Sequence, residues 1–255
     1  MSCSPGWIRY LVASALVLPT QISAQDSSLP FVYATYFECD PARESRVDAL
    51  TRDAFAPLFD QRLAAKQIMA WGWLAHNLGG NWRRVSYVVA PSRTAVLEAQ
   101  SGLAKDFRAR QSKALTEFNQ ICPTHDDYLW QAVATSQPAG QTAQARPPAA
   151  YSIYYECSNA RESRADTLVM QAFAPIWTRY VKAGGLKSWT WQQHIVGGKY
   201  RRLLVLDGAS HEGILASTDS VLAAVAKERP AEGREFSEIC PSHQDYLWDI
   251  QVAKP

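Results

Sequence analysis

The 255-residue chain sets 26 lysines and arginines against 24 aspartates and glutamates, for a net charge of +2. That balance excludes a protein that works by coating nucleic acid or an acidic membrane surface with positive charge. With 9 tryptophans and 11 tyrosines, the chain needs either large cores or an aromatic-lined cavity.

The first residues follow the order of a secretory signal: Arg9, the apolar run Leu11 to Pro19, then Ile22-Ser23-Ala24. A signal peptide over 1–24 is therefore expected, with a secreted or periplasmic product. Cleavage after Ala24 removes Cys3 and leaves four of the 5 cysteines in an oxidising compartment. No cysteine follows the apolar run where a lipid anchor would need one. No stretch is long and apolar enough for a transmembrane helix.

An internal repeat organises the remainder. Trp71 to Arg84 reads WGWLAHNLGGNWRR and returns as WTWQQHIVGGKYRR from Trp189 to Arg202; Tyr33 and Tyr151, like Trp130 and Trp248, are likewise 118 positions apart. The repeats are placed at 31–134 and 149–253. The Pro/Gln/Ala-rich stretch 135–148 has no apolar period and reads as their linker.

Within a repeat, Phe31 to Glu38 alternates as a strand rich in aromatic and β-branched residues, and Ala149 to Glu156 is its copy. Asp40-Pro41 and, in the second copy, Ser158 cap a helix running from about Ala42 towards Ala65. Leu50, Ala54, Phe55 and Leu58 form its buried stripe, and Pro57, like Pro175, predicts a kink or break inside it. The hairpin follows. A Gly-Gly pair at its turn supplies positive φ and sets His76 opposite Arg83. Alternation then puts Trp71, Trp73, Trp82, Arg84, Ser86 and Val88 on one face, and Gly72, Leu74, His76, Arg83, Val85 and Tyr87 on the other. A second helix is expected from Ser92 to Arg110 and from Ser210 to Glu228, with a shorter piece leading to Ile121-Cys122. Asp127 to Ala134 and Asp245 to Val252 close each copy as a fourth strand.

The order β-α-β-β-α-β is ferredoxin-like, so the fold class is α+β. Strands one and four are then antiparallel neighbours, which brings Cys39 to Cys122 and Cys157 to Cys240 and predicts one disulfide per repeat. Zinc held by the four cysteines is the rival, but no CxxC spacing supports it.

This element order, with its duplication and length, resembles the dimeric α/β-barrel superfamily, in which two ferredoxin-like units set their sheets face to face. Antibiotic-biosynthesis-type monooxygenases, haem-degrading monooxygenases and stress-responsive barrel proteins belong to it. The resemblance implies that the two sheets pack as an intramolecular pseudo-dimer, and hence a monomer. No catalytic motif of the family is matched residue by residue.

Among polar residues shared by the copies, Glu38 and Glu156 follow Tyr36 and Tyr154 by two positions. Each carboxylate reads as a general acid or base beside the tyrosine and an imidazole, with a salt bridge from Glu38 to Arg83 or Arg84 as the alternative. His76 and His194 read either as proton-transfer groups or as structural partners of Arg83 and Arg201. Arg43, Glu44, Arg46 and Asp48 fall at helical ion-pair spacings, and the adjacent Arg83 and Arg84 are expected on opposite faces. His125-Asp127 reads as a turn cap before the fourth strand or as a metal-ligand pair. No residue set identifies a cofactor or fixes a metal.

Three functions remain open. The leading one is binding of a small apolar or aromatic molecule in pockets lined by Tyr36, Tyr154, Arg83, Arg201, Trp71, Trp73, Trp189 and Trp191. The others are a cofactor-independent oxygenase or isomerase using His76, His194, Glu38 and Glu156, and a non-catalytic structural or interaction protein.

Overall fold

The structure is a computed structural model that describes residues 29–136 and 147–255. The expected signal peptide and most of the expected linker lie outside these residues. Eight antiparallel strands close into one barrel: β1 (Phe31–Glu38), β2 (Ala70–Gly79), β3 (Arg84–Ala90), β4 (Thr124–Thr135), β5 (Ala149–Glu156), β6 (Ser188–Val196), β7 (Arg202–Gly208) and β8 (Ser242–Lys254). Their order around the barrel is β1-β3-β2-β8-β5-β7-β6-β4. The circle is completed where β2 pairs with β8 and β4 with β6, so neither half leaves an open sheet edge.

The predicted fourth strand is too short at both ends. β4 begins at Thr124, because its first residues pair with Glu38 and Phe37, and it runs on to Thr135, which pairs with Thr190 across the seam. His125 and Asp127 thus lie in a strand and not in a turn, and Thr135 belongs to the sheet and not to the linker.

Helices cover the outside. After a short 3-10 turn, α1 (Glu44–Leu50) and α2 (Ala56–Ala64) flank a π-helical turn, Thr51–Phe55. This is how the chain accommodates Pro57. The wide turn, closed by the Ala56 N–H on the Thr51 carbonyl, ends just before the residue that cannot donate. The second half repeats the device, with α5 (Glu162–Leu168) and α6 (Ala174–Lys182) on either side of Val169–Phe173.

Ser92 caps α3 (Arg93–Arg110) through the Ala95 N–H, and α4 (Ser112–Ile121) leads to Cys122. Their counterparts are α7 (His211–Glu228), capped by Ser210, and α8 (Pro230–Ile239). Pro230 ends one helix and opens the next, since a proline costs nothing at a first helical position. Disulfides join Cys39 to Cys122 and Cys157 to Cys240.

Strand alternation sorts the aromatics into three cores. Trp71, Trp73 and Val88 face α1 to α4 beside Phe55, Phe59 and Phe118, and Trp189, Trp191 and Leu206 face the helices of the second half. The third core fills the barrel with residues from both halves, among them Tyr36, Trp130, Tyr154, Tyr246 and Trp248. Trp82 was expected on the same face of the hairpin as Trp71, the face that meets the helices. It lies instead in the barrel core, because residues 80–83 leave the regular pairing of β2 and β3 and strand alternation no longer governs them.

The Gly-Gly pair does more than turn the chain. Gly79 has φ +134°, and a Cβ there would sit 2.4 Å from the Asp245 carbonyl of β8. At Gly80 a Cβ would meet the Tyr246 hydroxyl at 2.5 Å. Both glycines let the hairpin press against the opposite half of the barrel.

Candidate functional site

The polar residues shared by the two copies assemble into two matching networks. Arg84, almost fully buried, grips Asp48 through Nε and Nη2 at 2.7 and 2.8 Å, and Asp48 also accepts from the Trp73 indole at 2.8 Å. Arg83 and Arg84 both reach Glu44. They were expected on opposite faces, but Arg83 precedes the first residue of β3, and its long side chain folds back onto α1. Arg201, Arg202, Glu162, Asp166 and Trp191 repeat the arrangement. Arg46 pairs with Glu117 at 2.6 Å on the exposed surface, and Arg43 with Asp40 at 2.8 Å.

His76 completes the first network, its Nδ1 2.8 Å from the Arg83 Nη1. A guanidinium can only donate, so Nδ1 must accept, and the neutral ring carries its proton on Nε2. Nε2 is buried and has no hydrogen-bond partner among the described residues. Burial, followed by the Arg83 charge, lowers the His76 pKa, while the Gly79 carbonyl opposes the shift. His194 stands in the same relation to Arg201. Such an imidazole has no free lone pair with which to act as a base and resists becoming an acid.

The sign of the pH effect follows. Both folded-state pKa values lie below the unfolded value of about 6.5, so the histidines' contribution is fully present above that pH. It is lost as pH falls through the lowered folded values. Double substitution of His76 and His194 by Gln should flatten that part of the stability curve, measured by urea unfolding between pH 7.5 and 5. An unchanged slope would show that the histidines are not its source.

Glu38 fits neither of its expected roles. It is exposed at the rim, accepts weakly from the Thr124 hydroxyl at 3.4 Å and makes no ion pair with Arg83 or Arg84. The cause is that β1 ends there, so its last inward position meets solvent and not a cavity. Glu156 pairs with Lys199 at 2.7 Å, also at the rim. Asp127 accepts from the Thr35 hydroxyl at 2.7 Å and faces His125 at 3.5 Å. Among the described residues no three His, Cys, Asp or Glu side chains are grouped to hold a metal ion.

The predicted ligand-binding residues are not brought together. Trp71, Trp73, Trp189 and Trp191 pack under the helices, while Tyr36 and Tyr154 pack inside the barrel. Tyr36 accepts from the Trp130 indole at 3.2 Å, and burial holds its phenol well above the usual range. Tyr36, Trp130, Tyr154, Tyr246 and Trp248 are each 2% exposed or less, which leaves no room for a water molecule against their rings.

The barrel mouth is different, because there a loop residue supplies the packing. The Trp82 indole stacks on Tyr36 at 4.3 Å and 26° and on Tyr246 at 5.1 Å and 17°. Tyr154 and Tyr200 meet it edge-on at 5.2 and 5.8 Å, and its Nε1 donates to the Asp126 carboxylate at 2.8 Å. In the second half Tyr200 takes the place of Trp82 and donates to Gln244. Its rings are less well stacked: Tyr154 is tilted 49° to it and Tyr128 31°. Tyr128, Tyr246 and Asp126 were not singled out in the sequence. The two tyrosines do share the 118-residue spacing, whereas Asp126 and Gln244 differ and so escape any comparison of identical positions.

No family model matches the chain. No curated protein matches it either. Solved structures do. An anthrone oxidase-like protein superposes with a TM-score of 0.57 at 11% identity, covering 91% of this chain and 95% of its own. A chlorite dismutase variant from Candidatus Nitrospira defluvii gives 0.56 at 14% identity, covering 88% and 92%. At such identities the likeness concerns architecture alone. The chain shares with these neighbours the fold of a closed eight-stranded α/β barrel.

Proposed function

We propose that the chain is an exported binding protein that takes a small aromatic molecule at the mouth of its barrel, without catalysing a reaction on it. The observation that carries this reading is the stacking of Trp82, a loop residue, between tyrosines contributed by both halves. Aromatic surfaces with a single polar acceptor at the edge are a common make-up of small-molecule sites. Catalysis is disfavoured by the histidines, whose Nδ1 atoms are occupied by arginine, and by Glu38, which stands apart from them at the rim. We further read the barrel as a fused pair of ferredoxin-like repeats preceded by a signal peptide and working as a monomer. The β4-β1-β3-β2 and β8-β5-β7-β6 strand orders support the pairing, and the two disulfides suit an oxidising compartment.

The packed barrel core favours a second reading, in which the protein is a rigid, non-catalytic structural or interaction module. Native mass spectrometry of protein isolated from an oxidising compartment separates the two. A stoichiometric added mass that an aromatic compound displaces is the expected result. A bare chain whose mass and melting temperature are unmoved by any planar aromatic compound would leave the structural reading.

A further inference from the structure

Trp82 sits where a ligand of its own chemistry would sit. Its indole is stacked on Tyr36 of β1 and Tyr246 of β8, strands three places apart in the barrel order. The two rings therefore form the walls of a slot that neither half of the chain builds alone. Asp126 lies at the rim and accepts the indole N–H at 2.8 Å. The residue filling this slot belongs to no strand. It follows Gly79, Gly80 and the exposed Asn81; its own N–H makes only a long contact, 3.5 Å to the Tyr246 hydroxyl, and the firm anchor comes one residue later, where the Arg83 N–H donates to the Phe37 carbonyl at 2.7 Å.

We propose that Trp82 is a resident, displaceable occupant of a site for a planar nitrogen heteroaromatic. A bicyclic ring carrying an N–H donor, indole being the simplest, takes the place of the side chain between Tyr36 and Tyr246 and donates to Asp126. The inference rests on the binding reading above and adds the ligand class and the residue that competes with it. It also accounts for the difference between the halves. Tyr200 is a smaller ring, tilted against its neighbours and paired with the neutral Gln244, so the second position is a poorer slot. One site per chain is expected.

Competition by a resident side chain reduces apparent affinity by the fraction of time the slot is open. Titration calorimetry with indole on the full disulfide-bonded protein reads this directly. Trp82→Gly should bind one indole per chain. Wild type should bind it at the same stoichiometry but on the order of 100-fold more weakly, as for a site open about 1% of the time. With Trp82→Gly, 1-methylindole should bind about tenfold more weakly than indole, because it cannot donate to Asp126.

Asp126→Ala, a surface change that leaves the rings in place, provides the test if the glycine variant does not fold. It should bind 1-methylindole more tightly than wild type does, because Trp82 has lost its anchor. Indole should gain less, having lost the same acceptor. Binding by Trp82→Gly alone, with none by wild type or Asp126→Ala up to the solubility of indole, would overturn the proposal and make Trp82 a fixed core residue. Wild type binding indole as tightly as Trp82→Gly would also overturn it, yet would leave the binding reading intact at another place. If none of the three proteins binds any aromatic probe, both readings fail.

Discussion

Replacing Arg84 with alanine should destabilise the protein by about 3–5 kcal/mol, the usual cost of removing one partner from a buried ion pair. The Arg84 side chain is only 5% exposed, and its guanidinium satisfies Asp48 in two-pronged fashion while also reaching Glu44. Without it Glu44 keeps Arg83, but Asp48 loses its ion-pair partner at the interface of α1 and the sheet, and the Trp73 indole keeps a carboxylate whose charge is no longer compensated. Arg46→Ala is the control. Its bridge to Glu117 is half exposed, so the loss should stay within about 1 kcal/mol. Guanidinium unfolding of the three proteins checks both numbers, and equal losses would contradict the assignment of Arg84 to a buried network. Arg202→Ala should behave as Arg84→Ala does, since its contacts with Asp166 and Glu162 are the same.

Reduction of the two disulfides should cost still more. Each closes a loop between cysteines 83 residues apart, which on the chain-entropy account corresponds to about 4–5 kcal/mol per bridge. Together they approach the whole stability of an ordinary domain, about 5–15 kcal/mol. The doubly reduced chain should therefore be largely unfolded near 37 °C, while loss of one bridge leaves a folded protein with a lower melting temperature. Circular dichroism with and without reductant, beside Cys39→Ala/Cys122→Ala, tests this; a melting temperature indifferent to reductant would refute it.

Much of the architecture was legible because local and long-range signals agree. Phe31 to Glu38 and its copy show alternation, aromatic content and a following cap, and β1 and β5 have those limits. The cysteine pairing followed from the neighbourhood of the first and fourth strands and needs no side-chain detail. What was misread shares one physical cause: it depends on contacts between the halves or on irregular backbone. The ends of β4 are fixed by pairing with β1 and β6, the position of Trp82 by a loop that leaves strand alternation, and the need for Gly79 and Gly80 by Asp245 and Tyr246 on the other side of the seam.

The candidate site was harder to read than the fold for a related reason. Residues identical in both copies pointed to Glu44, Asp48, Arg83 and Arg84, and these form the framework of ion pairs that ties α1 to the sheet. The mouth of the barrel is instead built where the copies differ, with Trp82 and Asp126 in one and Tyr200 and Gln244 in the other. A comparison that rewards identity finds what ties the helices to the sheet within each half and passes over what sets the halves apart.

The indole N–H resonance of Trp82, followed by nitrogen-edited NMR while indole is titrated into the wild-type protein, reports on the slot itself. Release of Trp82 from Asp126 and from the rings of Tyr36 and Tyr246 should shift or broaden this signal, leaving the buried indoles of Trp71, Trp130 and Trp191 where they were. A Trp82 resonance unmoved at saturating indole would show a permanently closed mouth and contradict binding there.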